Sequence, residues 1–325
     1  MEDLPKTKSG KDVLIRPLEE GDLHVADYVM RLAFGTFLGL PEPATFMGDT
    51  LYVYTRWKAN PDAAFCAKID GELIGSNFVA NWGSVGFFGP LTTHPDVWDQ
   101  GIAKLLIEPA MKCFEQWGTR HAGLMTFAES IKHVSLYQKF GFYPRFLTAI
   151  MSKPVDHNIG ARKSHWSKFS EIPLDKRTET LQLCFGLTNS VYDGLDVSLE
   201  ILSVVSQDLG ETVLLWDDGE LTGVAVCHCG AGSEAGSGCC YIKFGVVRSG
   251  AKASADFAEL LAACEKMAHD KGLLRIVAGV NTAHQGAYDQ MRQLGFKTNR
   301  QTVVMQRPNE PGYNRPDVFL IDDWR

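Results

Sequence analysis

A short signature occurs twice in this chain. Lys68-Ile69-Asp70-Gly71-Glu72-Leu73-Ile74-Gly75 is echoed by Asp217-Asp218-Gly219-Glu220-Leu221-Thr222-Gly223, an offset of 218 − 70 = 148 at the turn aspartate. Asp-Gly between two apolar runs signals a two-residue hairpin, because that turn needs positive φ at its centre. A second pair, Phe140-Gly141-Phe142 and Leu294-Gly295-Phe296, follows in the same order at 295 − 141 = 154. Two ordered anchors with similar offsets point to an internal duplication. The chain must then fold as two related units, and its 325 residues are about twice a usual domain. The expected units are residues 1–153 and 154–325. Their join is placed in the polar, aperiodic stretch Pro154 to Ser167.

Each unit is predicted to mix strands and helices. In the first, Asp12 to Arg16 reads as a strand, Leu23 to Phe34 as a helix, and Phe46 to Trp57 as helical or irregular. Ala63 to Ile69 and Glu72 to Ala80 form the hairpin. A strand from Val85 then gives way to a helix reaching Trp117, in which Pro109 should kink or interrupt the hydrogen bonding. Gly123 to Phe127 is a strand, Ser130 to Lys139 a helix stopped at Gly141, and Phe146 to Met151 a strand. The second unit repeats the beat with strand Tyr241 to Val247, helix Ala253 to His269 and strand Arg275 to Val280. The fold class is α+β: two units, each a mixed, mostly antiparallel sheet flanked by helices.

Composition narrows the function. A content of 45% hydrophobic and 22% charged residues fits an ordinary globular core. A net charge of −7 without a basic run argues against nucleic acid as a partner. No apolar run approaches the roughly 18–20 residues that span a bilayer, and the polar N-terminus lacks a signal-peptide core. Eight irregularly spaced cysteines do not form a disulfide framework, so a cytoplasmic location is expected.

Val85 to Leu106 carries the first chemical signal. An apolar strand pattern ends in Thr92-Thr93-His94-Pro95, and the loop Asp96-Val97-Trp98-Asp99-Gln100-Gly101 runs into a helix. A helix start offers backbone N–H groups without intrahelical partners, and the positive end of its dipole attracts phosphate.

These residues resemble the GNAT acetyltransferase superfamily in tandem form. In that family a strand lends backbone groups to the pantetheine of acetyl-CoA, and an Arg/Gln-x-x-Gly-x-Gly/Ala loop cradles the pyrophosphate. Here the loop is Trp98-Asp99-Gln100-Gly101-Ile102-Ala103; Gly101 and Ala103 match, whereas Trp98 replaces Arg or Gln. The family helix Asn-x-x-Ala-x-x-Leu-Tyr-x-x-x-Gly-Phe is matched by Ser130, His133, Leu136, Tyr137, Gly141 and Phe142. The resemblance covers about residues 12 to 152. It implies an acetyl-CoA site at Leu91, Thr92, Thr93, Trp98, Asp99, Gln100, Gly101, Ile102, Ala103, Lys104, Ser130 and Tyr137. The second unit matches less completely. Val247 to Lys252 lacks the paired glycines, and Met291 stands at the Tyr137 position (295 − 4 = 291). It is expected to be degenerate, forming a pocket wall or a pseudo-dimer partner.

The implied reaction is N-acetyl transfer to a primary amine by direct attack, with monomer or homodimer as the assembly. A lysine-like amine with a pKa of about 10.4 costs roughly 4–5 kcal/mol to hold neutral at pH 7. A nearby carboxylate or histidine can help, and a phenol can protonate the departing thiolate. Tyr137 is the candidate acid; its bland alternative is a core tyrosine. Glu129 and His133 are the candidate bases, and for Ser130 an N-cap role competes with a cofactor contact. Among Phe46, Tyr52, Tyr54, Trp57, Trp82, Phe87 and Phe88, most should be core, with some lining an acceptor pocket suited to a small amine. Cys227-His228-Cys229 with Cys239-Cys240 lacks paired zinc knuckles, so buried thiols are expected and no metal. A CoA-binding sensor without turnover is the alternative function, and a scaffold the third.

Overall fold

The computed structural model describes residues 4–156 and 165–325, so most of the expected join lies outside the described residues. The first half runs β1 (Leu14–Pro17), α1 (Leu23–Phe37), α2 (Tyr52–Ala59), β2 (Ala64–Ile69), β3 (Glu72–Trp82), β4 (Val85–Phe88) and β5 (Thr92–Thr93). It continues with α3 (Ile102–Trp117), β6 (His121–Thr126), α4 (Ile131–Gln138) and β7 (Tyr143–Pro154). The second half runs β8 (Trp166–Lys168), α5 (Leu174–Val191), α6 (Ser198–Ser206), β9 (Gly210–Asp217), β10 (Glu220–Gly230) and β11 (Gly236–Val247). It ends with α7 (Ala253–Asp270), β12 (Arg275–Asn281), α8 (Gln285–Gln293), β13 (Lys297–Arg307) and β14 (Leu320–Asp322). Both Asp-Gly turns form, with Asp70 and Gly71 at φ 52° and 86°, and Asp218 and Gly219 at 48° and 83°. The helix at Pro109 continues to Trp117.

Alternation along the strands builds three layers. In β2, Ala64 and Cys66 pack with α1 residues, whereas Ala67 and Ile69 pack with Ile102 and Leu106 of α3. In the second half, Val213, Leu215, Ala225 and Cys227 face α7, and Leu214, Val224 and Val226 face α5 and α6. Sequence patterning did not reveal α5, whose apolar residues are thinly spread, or the nine-residue α6, rich in β-branched residues; tertiary packing decides them.

The two halves share one continuous sheet, ordered β1-β2-β3-β4-β6-β13-β7-β12-β11-β10-β9-β8. Its centre is an exchange. Strand β13, from the second half, pairs with β6 of the first; β7, from the first half, pairs with β12 of the second. The cores follow: Ala149 and Met151 of β7 pack in the cluster around α7, and Val303 and Met305 of β13 pack with Tyr137 and Phe142. Each half completes the other.

Candidate active site

The site begins where β4 stops pairing. Val85–Phe87 run parallel to His121–Gly123 of β6. Pro90 then denies the ladder a donor, and the chain resumes as Thr92–Thr93 on the edge of β3, opposite Ser76 and Gly75. The Thr93 pair is the non-hydrogen-bonded one, since His94 N–H bonds Ile74 O (2.8 Å), so the Thr93 backbone groups point away from β3. Between Gly89–Thr93 and Leu124–Thr126 a notch opens, and a cavity of about 1040 Å³ passes through it.

One arm of the cavity is an anion cradle. Gly101 (φ 89°) sits at the start of α3, a backbone conformation that favours glycine. Among the described residues, the N–H groups of Gly101, Ile102 and Ala103 bond to no protein group; Lys104 N–H closes back onto Gly101 O (3.1 Å). Trp98 supplies no cation. Its indole N–H instead donates to Thr93 O (2.9 Å), pinning the loop to the strand. Charge comes from elsewhere: Lys132 of α4 lies over the Trp98 ring (5.8 Å) and pairs with Asp99 (2.7 Å), and Lys104 and Lys8 join it on the wall. Gln100 is off the wall; its carbonyl and side chain accept from Lys8 and Ser9 N–H, tethering that segment. Unpartnered amides, a glycine with open space and three lysines fit a CoA pyrophosphate. Leu91, Thr92, Thr93, Trp98, Asp99, Gly101, Ile102, Ala103 and Lys104 all line this cavity.

Tyr137 lies at the notch. It is 8% exposed, packs against Phe88 (5.8 Å between ring centroids), lines the cavity, and its hydroxyl bonds to no described group. Burial pushes its pKa well above the ordinary phenol value, so it stays protonated. His133 also lines the cavity with its ring against Phe37 (5.0 Å); burial, then the Lys132 charge, lowers its pKa and keeps it neutral at pH 7. Ser130 caps α4 by accepting from His133 N–H (3.4 Å) and is off the wall, as is exposed Glu129.

The other arm is aromatic. Phe34, Phe37, Phe46 and Phe127 form a continuous wall, with ring centroids 4.8–6.2 Å apart. Of the aromatic residues singled out in the sequence, Phe46, Tyr52 and Phe88 line the cavity, whereas Trp82 and Phe87 are central core. Arg31 of α1 holds the loop carrying Phe46, donating to the carbonyls of Phe46, Gly48 and Thr50 (2.5–2.7 Å).

The second half reaches this site in three ways that no local motif announces. Strand β13 brings Asn299, Arg300 and Thr302 to the wall. The segment after β14 crosses the shared sheet, where Gly279 leaves room for Asp323 and Gly123 for Trp324, whose ring stacks on Phe87 (5.3 Å). The two glycines are one repeat apart (279 − 123 = 156). Finally, Glu234 grips Arg56 of α2 bidentately (3.0 and 3.1 Å), and Arg56 donates to Gly89 O (2.5 Å) at the edge of the notch. Lys243 bridges Glu234 and Glu200 (3.1 Å each). Burial alone would raise the Glu234 pKa; the Arg56 and Lys243 charges overcome it and hold the carboxylate ionised.

At the equivalent place in the second half the notch is filled. Strand β11 is unbroken, pairs with β12 over Cys239–Ile242, and then pairs with β14 over Phe244–Val246. Arg248 donates back to Leu221 O (3.1 Å), and Met291 is fully buried. Cys227 lies 3.8 Å from Cys264 and Cys229 3.8 Å from Met267 Sδ, while His228 faces the opposite side and accepts from Glu234 N–H. Among the described residues no group of three metal-ligating side chains is placed to hold an ion.

A split sheet with an anion cradle at the following helix defines a class. Residues 32–142 match the model of the acetyltransferase (GNAT) family, which marks a GNAT domain within the first half. The whole chain has the tandem GNAT architecture. Its fold is similar to a candidate acetyltransferase from Pyrococcus horikoshii (TM-score 0.68, 12% identity, 96% of this chain and 95% of that one). It is also similar to a GCN5-related N-acetyltransferase from Sphaerobacter thermophilus (0.58, 16%, 91% and 95%). A tandem GNAT protein from the clavulanic acid biosynthesis pathway aligns over 91% of this chain and 98% of its own (0.55, 11%). No curated protein matches the chain in sequence. Among the described residues no helix is long and apolar enough to cross a membrane.

Proposed function

We propose that the chain transfers an acetyl group from acetyl-CoA to the primary amine of a small substrate, with residues 1–153 as the cofactor-binding and chemical unit. Residues 154–325 complete the site without transfer chemistry of their own. The observation that carries this reading is Tyr137 standing at a notch between an amide cradle and an aromatic arm. CoA would lay its pyrophosphate on the Gly101–Ala103 amides and its pantetheine along Leu91–Thr93, bringing the thioester to Tyr137. The amine lone pair attacks the thioester carbon; a C–N bond forms and the C–S bond breaks. His133, neutral at pH 7, takes the amine proton, and the Tyr137 hydroxyl gives its proton to the departing sulfur. With its pKa raised by burial, the phenol is a poor acid in isolation but always a loaded donor, so proton transfer accompanies C–S cleavage. Glu129, exposed and off the wall, has no part in these steps.

Two measurements test this. Acetyl-CoA should raise the melting temperature, because a ligand of the native state stabilises by mass action. Thiol release should then appear with some member of an amine panel. A thermal shift without thiol release from any amine would make the protein a CoA-binding sensor; neither response would leave a scaffold.

A further inference from the structure

We infer that the acceptor amine carries an anionic group, a carboxylate, beside an apolar body, and that Arg300 is the residue that holds it. This rests on the transfer reading above and adds the chemical class of the substrate. Among the described cavity-lining residues the only carboxylate side chain is Asp99. It lies at the cradle end and is already paired with Lys132. Among the described residues the aromatic arm therefore offers no side-chain carboxylate to a polyamine, a basic peptide or an aminosugar.

It offers the opposite. Arg300, on β13 opposite the cavity-lining Ile150, lies over Phe127 (5.7 Å to the ring centroid) and has no carboxylate partner among the described residues. A guanidinium that lies over a ring and is bonded to no carboxylate has N–H donors left for a ligand, and its fork can bind a carboxylate bidentately. The other two arginines on the cavity wall differ: Arg325 Nε donates to Asp323 Oδ1 (2.9 Å), so its charge is answered within the protein, and Arg275, at the start of β12, directs its Nε to Cys239 Sγ (2.8 Å). Arg300 also stands apart from the lysines of the cradle, because Phe127 beneath it belongs to the acceptor wall with Phe34 and Phe37. An apolar wall and, over its Phe127 ring, a cation that no carboxylate answers together select an amine with an apolar body and one negative charge.

The test is steady-state thiol release from acetyl-CoA on the full chain with matched amines. Suitable ones are 4-(aminomethyl)benzoate, its carboxamide, the dicationic 4-(aminomethyl)benzylamine, and phenylalanine with its amide. At least one carboxylate should exceed its uncharged amide in kcat/KM by 10-fold or more, with the dication poorest. Arg300→Gln should abolish that preference through KM of the carboxylate substrate. It should change KM for acetyl-CoA and kcat/KM of the amide several-fold less than kcat/KM of the carboxylate, and Arg300→Lys should recover part of the loss. Equal or better turnover of the amides or the dication overturns the inference and leaves acetyl transfer standing. An Arg300→Gln loss equal for every amine also overturns it, since that is packing on Phe127. If acetyl-CoA shifts the melting temperature but no amine is acetylated, the transfer reading fails and this inference falls with it.

Discussion

The same structural unit occurs twice here with opposite outcomes. In the first half, Pro90 breaks the strand after Phe88, the sheet parts, and a cavity passes between Thr93 and Leu124. In the second, β11 runs unbroken to Val247 and its free edge is taken by Leu320–Asp322. A notch exposes unpaired backbone groups, which water, a ligand or another strand can satisfy. The first half keeps the amides, glycine and tyrosine that a phosphate-bearing thioester would use. The second has a self-bonded Arg248, a buried Met291 and a strand in the gap. The two halves share a scaffold, and Glu234, β13 and Trp324 of the second half reach the notch of the first.

That contrast can be broken most directly at the tyrosine. Tyr137→Phe should cut kcat by about 10²–10⁴-fold, the usual contribution of a placed proton donor, with acetyl-CoA affinity near normal. Met291→Leu, at the matching position, should leave kcat unchanged. Comparable losses from both would mean that the halves are not functionally distinct.

The plug gives the next effect. Leu320 is fully buried in the core shared by both halves, so Leu320→Ala should destabilise by about 2–5 kcal/mol in denaturant unfolding. Calorimetry should still find one acetyl-CoA per chain. A stoichiometry of two would show that β14 merely covers a competent second site.

The smallest effect is on pH dependence. Burial, reinforced by Asp323, raises the Asp322 pKa well above the ordinary carboxylate value, and the Tyr313 hydroxyl donating to it (3.1 Å) only partly opposes this. The docked strand thus holds a proton that the unfolded chain releases above about pH 4. Its contribution to stability is complete below that pH and is lost as pH rises through the raised folded value. Asp322→Asn removes the titration, so its melting temperature relative to wild type should be higher at pH 8 than at pH 5. An unchanged difference would mean that Asp322 is docked as the carboxylate and the strand fills the notch without a proton.

Local chemistry made much of this legible in the sequence. Asp70-Gly71 and Asp218-Gly219 dictate their hairpins through backbone conformation alone. The periodicity of Ile102, Leu106 and Ala110 sets a helix, and Gly101 with the strand before it marks where an anion can sit. Tyr137 is placed by its own helix. Other features depend on residues far apart in the chain, and only the tertiary structure decided them. Strand β13 lies between β6 and β7 because the cores of the two halves each need the other's apolar face, which no local pattern encodes. Gly123 and Gly279 look like ordinary strand glycines until a segment some 200 and 45 residues later crosses them (324 − 123 = 201 and 323 − 279 = 44). Arg300 looks like a surface charge until Phe127 lies beneath it. Short-range signals follow from propensity and turn geometry, whereas strand order, gap filling and the charge of a cavity wall follow from long-range packing, which sets the final arrangement.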